Sequence, residues 1–332
     1  MQYFQKNLAR PNVTLTGYIH DKSSELSNAD RRPAVLVFPG GGYFSCSDRE
    51  AEPVALAFLG EGYQAFVLRY TVGQTTPFAD ALADAQEAFD YLQQNADELC
   101  VDADRIAVCG FSAGGHLAAC MGTVSRNRPA AMILGYPVIL SDFGKSIKKD
   151  LPSADLFVDG STPPAYLFAT SSDELVPVEN TLKMAAALDR AAVPFELHIF
   201  PEGPHGLSLA KPHTSDGKEI MVNPRVQEWF PECCKWLTGV WGSLETTNDD
   251  PGLGMTRHEI GIDMPLALLM ERPDCAEALN EIVPGLDTML QASPSAGNYS
   301  LSVLNRFSPE IITDDILKEA KAKLAGCKPI EK

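Results

Sequence analysis

The chain has 332 residues, of which 45% are hydrophobic and 21% charged, and its formal net charge is -17. This length and composition fit a globular protein with one large α/β domain and an appended segment, or with two domains. The acidic excess repels phosphate backbones and anionic lipid surfaces, so neither nucleic-acid binding nor membrane binding is expected. No run reaches the roughly 18 apolar residues that a membrane-spanning helix needs.

The eight cysteines are scattered, and no two are spaced as C-x-x-C. Cys109 and Cys120 fall within a predicted strand and helix, as is typical of reduced, buried thiols, and the adjacent pair Cys233–Cys234 makes no zinc site alone. Residues 1–12 have no apolar segment of the kind a secretion signal carries. The sequence therefore predicts a cytoplasmic protein without a metal site.

Short apolar runs predict buried strands, and a first run with alternating polarity predicts an edge strand. The predicted strands are 13–19, 34–38, 65–68, 106–109, 131–134, 166–169 and 195–200. Helical periodicity and helix end signals predict helices at 52–59, 78–92, directly after residue 112, 178–191 and 226–236. Strands that alternate with helices build a mostly parallel sheet with helices on both faces.

A G-x-S-x-G sequence, from Gly110 to Gly114, lies where strand 106–109 ends and the next helix begins. A serine in so tight a turn has a strained backbone and needs small neighbours, which these glycines and Gly115 provide. Its hydroxyl then points out of the sheet beyond the carboxyl end of the strand, where ligands bind in such sheets. Ser112 is therefore predicted to be a nucleophile.

A serine hydroxyl needs a histidine to accept its proton and a carboxylate to orient that imidazole. Among the six histidines, His205 lies in a loop directly after the last predicted strand and is the predicted base, with His213 as the alternative. Asp173 directly follows the preceding strand and is the predicted acid. Asp142 is a weaker candidate for the acid, and Glu174 is interpreted as a solvated loop charge.

A run of glycines, Pro39-Gly-Gly-Gly-Tyr43, follows strand 34–38 and can present unobstructed backbone N–H groups. A tetrahedral oxyanion is stabilised by such donors when they are fixed in advance. The expected donors are the N–H groups of Ala113, Gly41 and Gly42. Tyr43 is expected to line the substrate pocket.

Four motifs together resemble the α/β-hydrolase carboxylesterases, most closely the acetylxylan-esterase-like and feruloyl-esterase-like group. They are the glycine run, the G-F-S-A-G-G-H sequence from Gly110, the Asp173-x-x-Val-Pro segment and the Gly203-x-His-Gly loop. The serine, acid, histidine order of that family is also present. The resemblance covers roughly residues 10–240. It implies an α/β-hydrolase fold and a serine carboxylesterase that removes short acyl groups, commonly acetyl, from sugars such as xylo-oligosaccharides, without a cofactor.

One position departs from related enzymes. In the hormone-sensitive-lipase-like group the glycine motif begins with histidine, whereas here it begins with Pro39, as in a subset of the acetyl esterases. That first position does not itself donate to the oxyanion. The segment 135–165 is polar, with Lys145, Lys148 and Lys149, and has no long apolar cap. This favours a small acyl group and a polar alcohol over a fatty ester.

Other functions stay open at this point. A feruloyl or other small-ester esterase would use the same residues. A prolyl-oligopeptidase-like peptidase shares the fold and the residue order, although such peptidases normally carry a large extra domain that this sequence does not show. A scaffold that acts through the C-terminal segment is disfavoured, because a non-enzyme has no need to keep a complete set of catalytic residues.

The predicted domains are a catalytic domain at 1–241, a linker at 242–257 and a small all-α module at 258–332. The module's helices are predicted at 265–271, 275–282, 286–290 and 316–324, the last capped by Thr313. Because about 70 residues bury little core, the module is expected to dock on the catalytic domain or on another subunit. It resembles small helical modules appended to carbohydrate-active bacterial enzymes. Packing or homo-oligomerisation is its favoured role, and sugar or partner binding is the alternative.

Overall fold

The computed structural model describes residues 1–244 and 259–327. The chain divides into two units, Met1–Glu245 and Thr246–Lys332. This division falls within the predicted linker 242–257, most of which lies outside the described residues. The predicted roles of the two domains stay predictions.

The apolar runs of the first unit form one sheet, which has eight strands in the part of the chain that the structure describes. The strands are β1 (Gln2–Asn7), β2 (Thr14–Ile19), β3 (Arg32–Phe38), β4 (Gln64–Arg69), β5 (Val101–Phe111), β6 (Ala131–Gly135), β7 (Ala165–Thr170) and β8 (Phe195–Phe200). Their order across the sheet is β1-β2-β4-β3-β5-β6-β7-β8. The β1–β2 and β2–β4 pairs are antiparallel and the other pairs are parallel, which confirms the predicted mostly parallel sheet.

Helices cover both faces of this sheet. They are α1 (Glu52–Gly60), α2 (Phe78–Gln94), α3 (Ala113–Thr123), α4 (Asp142–Ser146), α5 (Glu179–Arg190) and α6 (Trp229–Trp241). Successive strand residues point to opposite faces. Leu36 packs in a core with residues of α2, α3 and α5, and Val37 packs in a second core with residues of α1 and α6. Two buried faces explain why residues 34–38 are apolar without alternation.

The parallel strands bring the predicted site residues to one edge of the sheet. β3 ends just before the glycine run, β5 ends at the residue before Ser112, and β7 ends three residues before Asp173. His205 follows β8. Because the carboxyl ends of parallel strands lie together, residues far apart in the sequence meet there.

Several elements of the first unit differ from the sequence-based expectation. The edge strand β1 was not predicted, because its residues are almost all exposed and lack an apolar pattern. β5 begins at Val101 rather than at 106, extending back through a polar stretch of which only the start is buried. A short 3-10 turn, Val226–Glu228, precedes α6, so the last helix of this unit begins and ends later than expected.

The second unit is helical, as predicted. Its helices are α7 (Leu266–Met270), α8 (Pro273–Ile282), α9 (Leu286–Ala292), α10 (Leu301–Phe307) and α11 (Asp314–Leu324). The Thr313 side chain accepts a hydrogen bond from the N–H of Ile316, which is the predicted cap. Buried leucines from several of these helices form a core within this unit. The helix α10, capped by Ser300, was not predicted.

Candidate active site

The turn that carries Ser112 is strained in the way the G-x-S-x-G motif predicts. Ser112 has φ 53° and ψ -119°, a conformation that L-residues rarely adopt. A Cβ on Gly110 would lie 2.0 Å from the carbonyl oxygen of Gly114, and a Cβ on Gly114 would lie 2.0 Å from that of Phe38. The turn therefore has room only for glycine at both positions. Its effect is to place the serine at the start of α3 and beyond the end of β5.

The structure brings Ser112, His205 and Asp173 together. The Ser112 hydroxyl donates to Nε2 of His205 over 2.7 Å, and Nδ1–H of His205 donates to Oδ2 of Asp173 over 2.7 Å. These are the contacts through which an imidazole accepts a serine proton while a carboxylate fixes its tautomer.

Asp173 is fixed in place by its own loop. Its second oxygen, Oδ1, accepts the backbone N–H groups of Leu175 and Val176, each at 2.9 Å. The carboxylate side chain is 1% exposed, and that of His205 is 14% exposed. On its other side, the His205 ring meets the edge of the Tyr136 ring, with ring centroids 5.1 Å apart. The imidazole is thus held by Asp173 and packed against Tyr136, and little of it is exposed.

The weaker candidates lie away from this constellation. Asp142 is exposed and pairs with Lys145. Glu174 is exposed, as the interpretation of a solvated charge requires, and His213 is exposed beside the start of α1. The geometry therefore singles out His205 for contact with Ser112, and Asp173 for contact with His205.

The glycine run approaches the serine from the end of β3. Gly41 and Gly42 have φ of 131° and 62°, which favour glycine. Within residues 1–244 and 259–327, the structure gives no acceptor to the N–H groups of Gly41, Gly42 or Ala113. Gly41, Gly42 and Ser112 line the same pocket. Their assignment as oxyanion donors stays a prediction that this arrangement permits.

The structure corrects the assignment of Tyr43 to the substrate pocket. Its side chain is 1% exposed and packs beneath the glycine run against Tyr70, Phe78 and His116. The cause is local, because Tyr43 has φ 63°, and the turn that presents the glycines also directs this side chain inward. The neighbouring Phe44, which is 47% exposed, lines the pocket instead.

His116, one turn along α3, connects the buried Tyr43 to a later loop. The Tyr43 hydroxyl donates to Nδ1 of His116, and Nε2–H donates to the carbonyl of Pro152, each over 2.8 Å. Burial lowers the pKa of His116 to about 4, although the bond to Pro152 acts in the opposite direction. His116 is thus a neutral structural residue that supports the glycine run from below.

The pocket above Ser112 has a volume of about 540 Å³. Its apolar wall comes from Phe44, Phe143, Ile147 and Leu175. Its polar wall includes Arg49 and Glu50, together with parts of the glycine run and of the loop of His205. The segment 135–165, read from the sequence as polar, does contribute the short helix α4 and two of these apolar side chains. It adds a small cover and no long apolar cap.

A second pocket of about 620 Å³ adjoins the first on the other side of His205. It shares His205 and Leu175 with the first pocket. The rest of its lining includes Glu174, Glu202 and Asn223. An ester that spans both pockets would place its two halves on opposite sides of the imidazole.

Sequence reasoning missed Glu50 and the pair Phe143 and Ile147. The apolar pair was detectable in principle, because a spacing of four residues places two side chains on one helical face. Glu50 carries no such signal, since nothing in its sequence neighbourhood shows that it is 3% exposed.

Among the described residues, the side chains grouped closely enough to hold a metal ion are those of Asp274, Cys275 and Cys327 in the second unit. Burial raises the pKa of the Cys275 thiol to about 12. Metals bind thiolates, so this protonation opposes binding. The group contains no residue of the Ser112 site.

Two family profiles match stretches of the chain that contain Ser112, Asp173 and His205. The BD-FAE family profile matches residues 24–131, which include the glycine run and Ser112. The prolyl oligopeptidase family profile matches residues 149–235, which include Asp173 and His205.

Among solved structures, the chain is 44% identical to MGS-M1, an alpha/beta hydrolase enzyme from a Medee basin deep-sea metagenome library. The TM-score is 0.68, and the match covers 72% of this chain and 98% of that one. The chain belongs to the α/β-hydrolase family. It is also 37% identical to an acetyl ester-xyloside bifunctional hydrolase from Caldicellulosiruptor lactoaceticus, with a TM-score of 0.61 over 69% of this chain and 89% of that one.

This α/β-hydrolase matches only part of two longer curated relatives. Endo-1,4-beta-xylanase B of Butyrivibrio fibrisolvens is 34% identical over 225 residues, 58% of this chain and 35% of that protein. Acetylxylan esterase of Xylanibacter ruminicola is 30% identical over 201 residues, 53% of this chain and 41% of that protein. The chain thus spans between a third and a half of the length of these relatives.

These findings confirm the predicted resemblance to α/β-hydrolase carboxylesterases. The enzyme class expected from the sequence, a carboxylic ester hydrolase, is that of the acetylxylan esterase. The likeness of the second unit to appended helical modules stays a prediction. In the described ranges, no helix combines the length and the apolar character that crossing a bilayer requires. The cytoplasmic location also stays a prediction.

Proposed function

We propose that this α/β-hydrolase is a serine carboxylesterase that removes short acyl groups, acetyl foremost, from sugars or oligosaccharides such as xylo-oligosaccharides. The observation that carries the proposal is the hydrogen-bonded chain from the Ser112 hydroxyl through His205 to Asp173, with both links at 2.7 Å. It starts at a strained turn on the wall of a pocket, where a nucleophile can reach a substrate.

In the proposed first step, the Ser112 oxygen attacks the ester carbonyl carbon while His205 accepts its proton. The carbonyl oxygen gains negative charge and is stabilised by the N–H groups of Ala113, Gly41 and Gly42. His205 then gives its proton to the departing sugar hydroxyl, and the acyl group remains on Ser112. Asp173 stabilises the imidazolium without becoming protonated.

The second step releases the acid. A water molecule enters where the alcohol left, His205 accepts a proton from it, and the resulting hydroxide attacks the acyl carbon. Collapse of the second tetrahedral intermediate returns the proton to Ser112 and releases acetate. This chemistry needs no metal ion or organic cofactor.

The choice of a short acyl group rests on the pocket and on the relatives. The pocket of about 540 Å³ has few apolar side chains in its wall, enough to hold a small acyl group. The neighbouring pocket includes Glu174, Glu202 and Asn223, whose side chains can bind the hydroxyl groups of a sugar. One relative is an acetylxylan esterase and one solved structure is an acetyl ester-xyloside hydrolase.

A peptidase of the prolyl-oligopeptidase kind is the second candidate, because that family's profile matches residues 149–235. Amide hydrolysis would use the same three side chains. Paired assays on a chromogenic acetyl ester and a chromogenic dipeptide amide separate the two. A specificity constant for the amide equal to or above that for the ester would favour the peptidase.

The substrate is tested by acetate release from acetylated xylo-, manno- and gluco-oligosaccharides, with a feruloyl ester for comparison and the Ser112→Ala variant as the control. We expect acetate release from at least one acetylated oligosaccharide at a higher specificity constant than feruloyl release, and none from the variant. Preference for the feruloyl ester would replace the acetyl assignment, and release that survives in the variant would refute the site.

A further inference from the structure

Arg49 and Glu50 lie in a turn between the glycine run and α1, and they contact both the glycine run and the loop of His205. Glu50 is 3% exposed, although it is a charged residue in a chain that has much exposed acidic surface. Charged side chains are seldom buried unless all their polar atoms are paired. Its partners therefore show what holds it there.

The first partner belongs to the glycine run. The N–H of Gly40 donates to Oε2 of Glu50 over 2.8 Å. A Cβ on Gly40 would lie 2.7 Å from that same oxygen and 3.0 Å from Cβ of Ser112. Gly40 is thus enclosed between the carboxylate and the nucleophile, and Gly41 and Gly42 follow it directly in the chain.

The second partner is Tyr136, which leads to the histidine loop. The Tyr136 hydroxyl donates to Oε1 of Glu50 over 2.7 Å and accepts the N–H of Ser208 over 2.7 Å. The Tyr136 ring meets the ring of His205. Burial and the nearby Glu50 hold the pKa of this phenol well above its usual value, so it stays a donor.

Arg49 reaches the same loop directly. Its Nη1 donates to the carbonyl of Gly206, the residue after His205, over 2.7 Å. Two adjacent side chains therefore bind the two loops beside Ser112, Glu50 the glycine run and Arg49 the loop of His205.

We propose that Glu50, assisted by Tyr136, is a positioning residue that orients the Gly40–Gly42 backbone toward the oxyanion of the Ser112 reaction. This inference rests on the proposed function. A carboxylate has no proton to offer an oxyanion, and both oxygens of Glu50 are already occupied. Its influence on the reaction passes through the Gly40 peptide.

Three variants separate this role from a general effect of charge or burial. Glu50→Ala removes both bonds. Glu50→Gln keeps one oxygen that can accept the Gly40 N–H, and Tyr136→Phe keeps the ring against His205 and loses the hydroxyl. Glu52→Gln, two residues along and exposed, is the matched control.

The readouts are kcat and KM on p-nitrophenyl acetate, and the rate at which a fluorophosphonate probe labels Ser112. For Glu50→Ala we expect kcat and the labelling rate to fall by about 10²-fold, as when an oxyanion donor is lost, with KM within about threefold of the starting enzyme. Glu50→Gln should lose less than about tenfold, Tyr136→Phe about tenfold, and Glu52→Gln less than about twofold.

Several results would overturn the proposal. Glu50→Gln as slow as Glu50→Ala would show that the charge matters and not the hydrogen bond to Gly40. Activity of Glu50→Ala within about twofold of the starting enzyme, or a loss confined to KM, would show that the glycine run holds its position without Glu50. If Glu50→Ala does not fold, unchanged kcat and labelling in both Glu50→Gln and Tyr136→Phe refute the inference, and losses of the expected sizes support it.

Failure of the proposed function gives a different pattern. In that case the starting enzyme does not hydrolyse the ester, or Ser112→Ala retains the activity. Fluorophosphonate labelling still reports on the glycine run, because the probe needs only a nucleophilic serine and oxyanion donors.

Discussion

Two buried carboxylates serve the site from different regions of the fold. Asp173 lies in the loop after β7 and contacts His205, whereas Glu50 lies in the turn before α1 and contacts the Gly40 peptide. Both bind backbone N–H groups, yet only Asp173 touches His205, the side chain proposed to move a proton. In the proposed mechanism, Asp173 therefore takes part in the chemistry through His205, while Glu50 sets the geometry of the glycine run.

The largest effect is expected for Ser112→Ala, which removes the nucleophile that both carboxylates are proposed to serve. Losing the nucleophile of a triad costs on the order of 10⁶ in kcat. Alanine fits the turn, because it is smaller than serine, so thermal unfolding should be unchanged. Ester hydrolysis by the purified variant at more than a small fraction of the original rate would place the nucleophile elsewhere.

Asp173→Asn should separate the acid that touches histidine from its neighbours. An asparagine can hold the wrong imidazole tautomer, and such a change costs about 10⁴-fold in a well-studied triad. Glu174→Gln is the control, with an expected loss below about tenfold, because that exposed charge is screened by solvent. Steady-state kinetics on one ester give both values. Equal losses, or a larger loss for Glu174→Gln, would overturn the assignment of the acid.

His116, a buried neutral side chain beneath the glycine run, should make the stability of the protein depend on pH. Its folded-state pKa of about 4 lies below the ordinary 6.5, so its contribution to stability is complete above pH 6.5 and is lost as the pH falls toward 4. At pH 5 the loss is about 2 kcal/mol. Urea unfolding at pH 7.5 and at pH 5.0 gives the free energy of unfolding at each pH. Between these two values, that free energy should fall by about 2 kcal/mol more in the original protein than in His116→Gln. The same drop in both would show that His116 is not a buried neutral group.

The smallest expected effect concerns the acyl specificity of the pocket between the glycine run and the loop of His205. Burying a methylene gains about 0.8 kcal/mol, close to fourfold in binding, so a fatty-acyl groove would favour longer esters steadily. Here the specificity constant should peak at acetyl or propionyl and fall by at least about tenfold at octanoyl, because the few apolar side chains that line the pocket leave a long chain little surface to bury. A chromogenic ester series below the micellar limit measures this. A maximum at about six carbons or longer would contradict the short-acyl assignment and would leave the assignment of Ser112 as the nucleophile unchanged.

Much of the fold could be predicted because buried parallel strands have a simple pattern. The run Phe195–Phe200 was placed with its observed bounds, and the apolar runs of β3, β6 and β7 were placed within two residues at each end. β1 could not be found, because an exposed edge strand needs no apolar face. Helix α10 was detectable, since Ser300 precedes an apolar pair at Leu301 and Leu304.

The triad could be proposed from the sequence because each of its residues follows a strand of the same sheet, and topology alone brings such positions together. Tyr43 was misplaced because the direction of a side chain in a glycine-rich turn depends on a backbone angle that the sequence does not specify. Glu50 was missed for a related reason. Its importance arises from contacts with Gly40 and Tyr136, which lie 10 and 86 residues away.

The most direct test of the central claim is to label the enzyme with a fluorophosphonate and to locate the adduct by peptide mass spectrometry while following p-nitrophenyl acetate hydrolysis. The account predicts one adduct per chain, on Ser112, with activity lost in proportion to labelling and no adduct in Ser112→Ala. An adduct on another residue, or full esterase activity in the labelled protein, would contradict it.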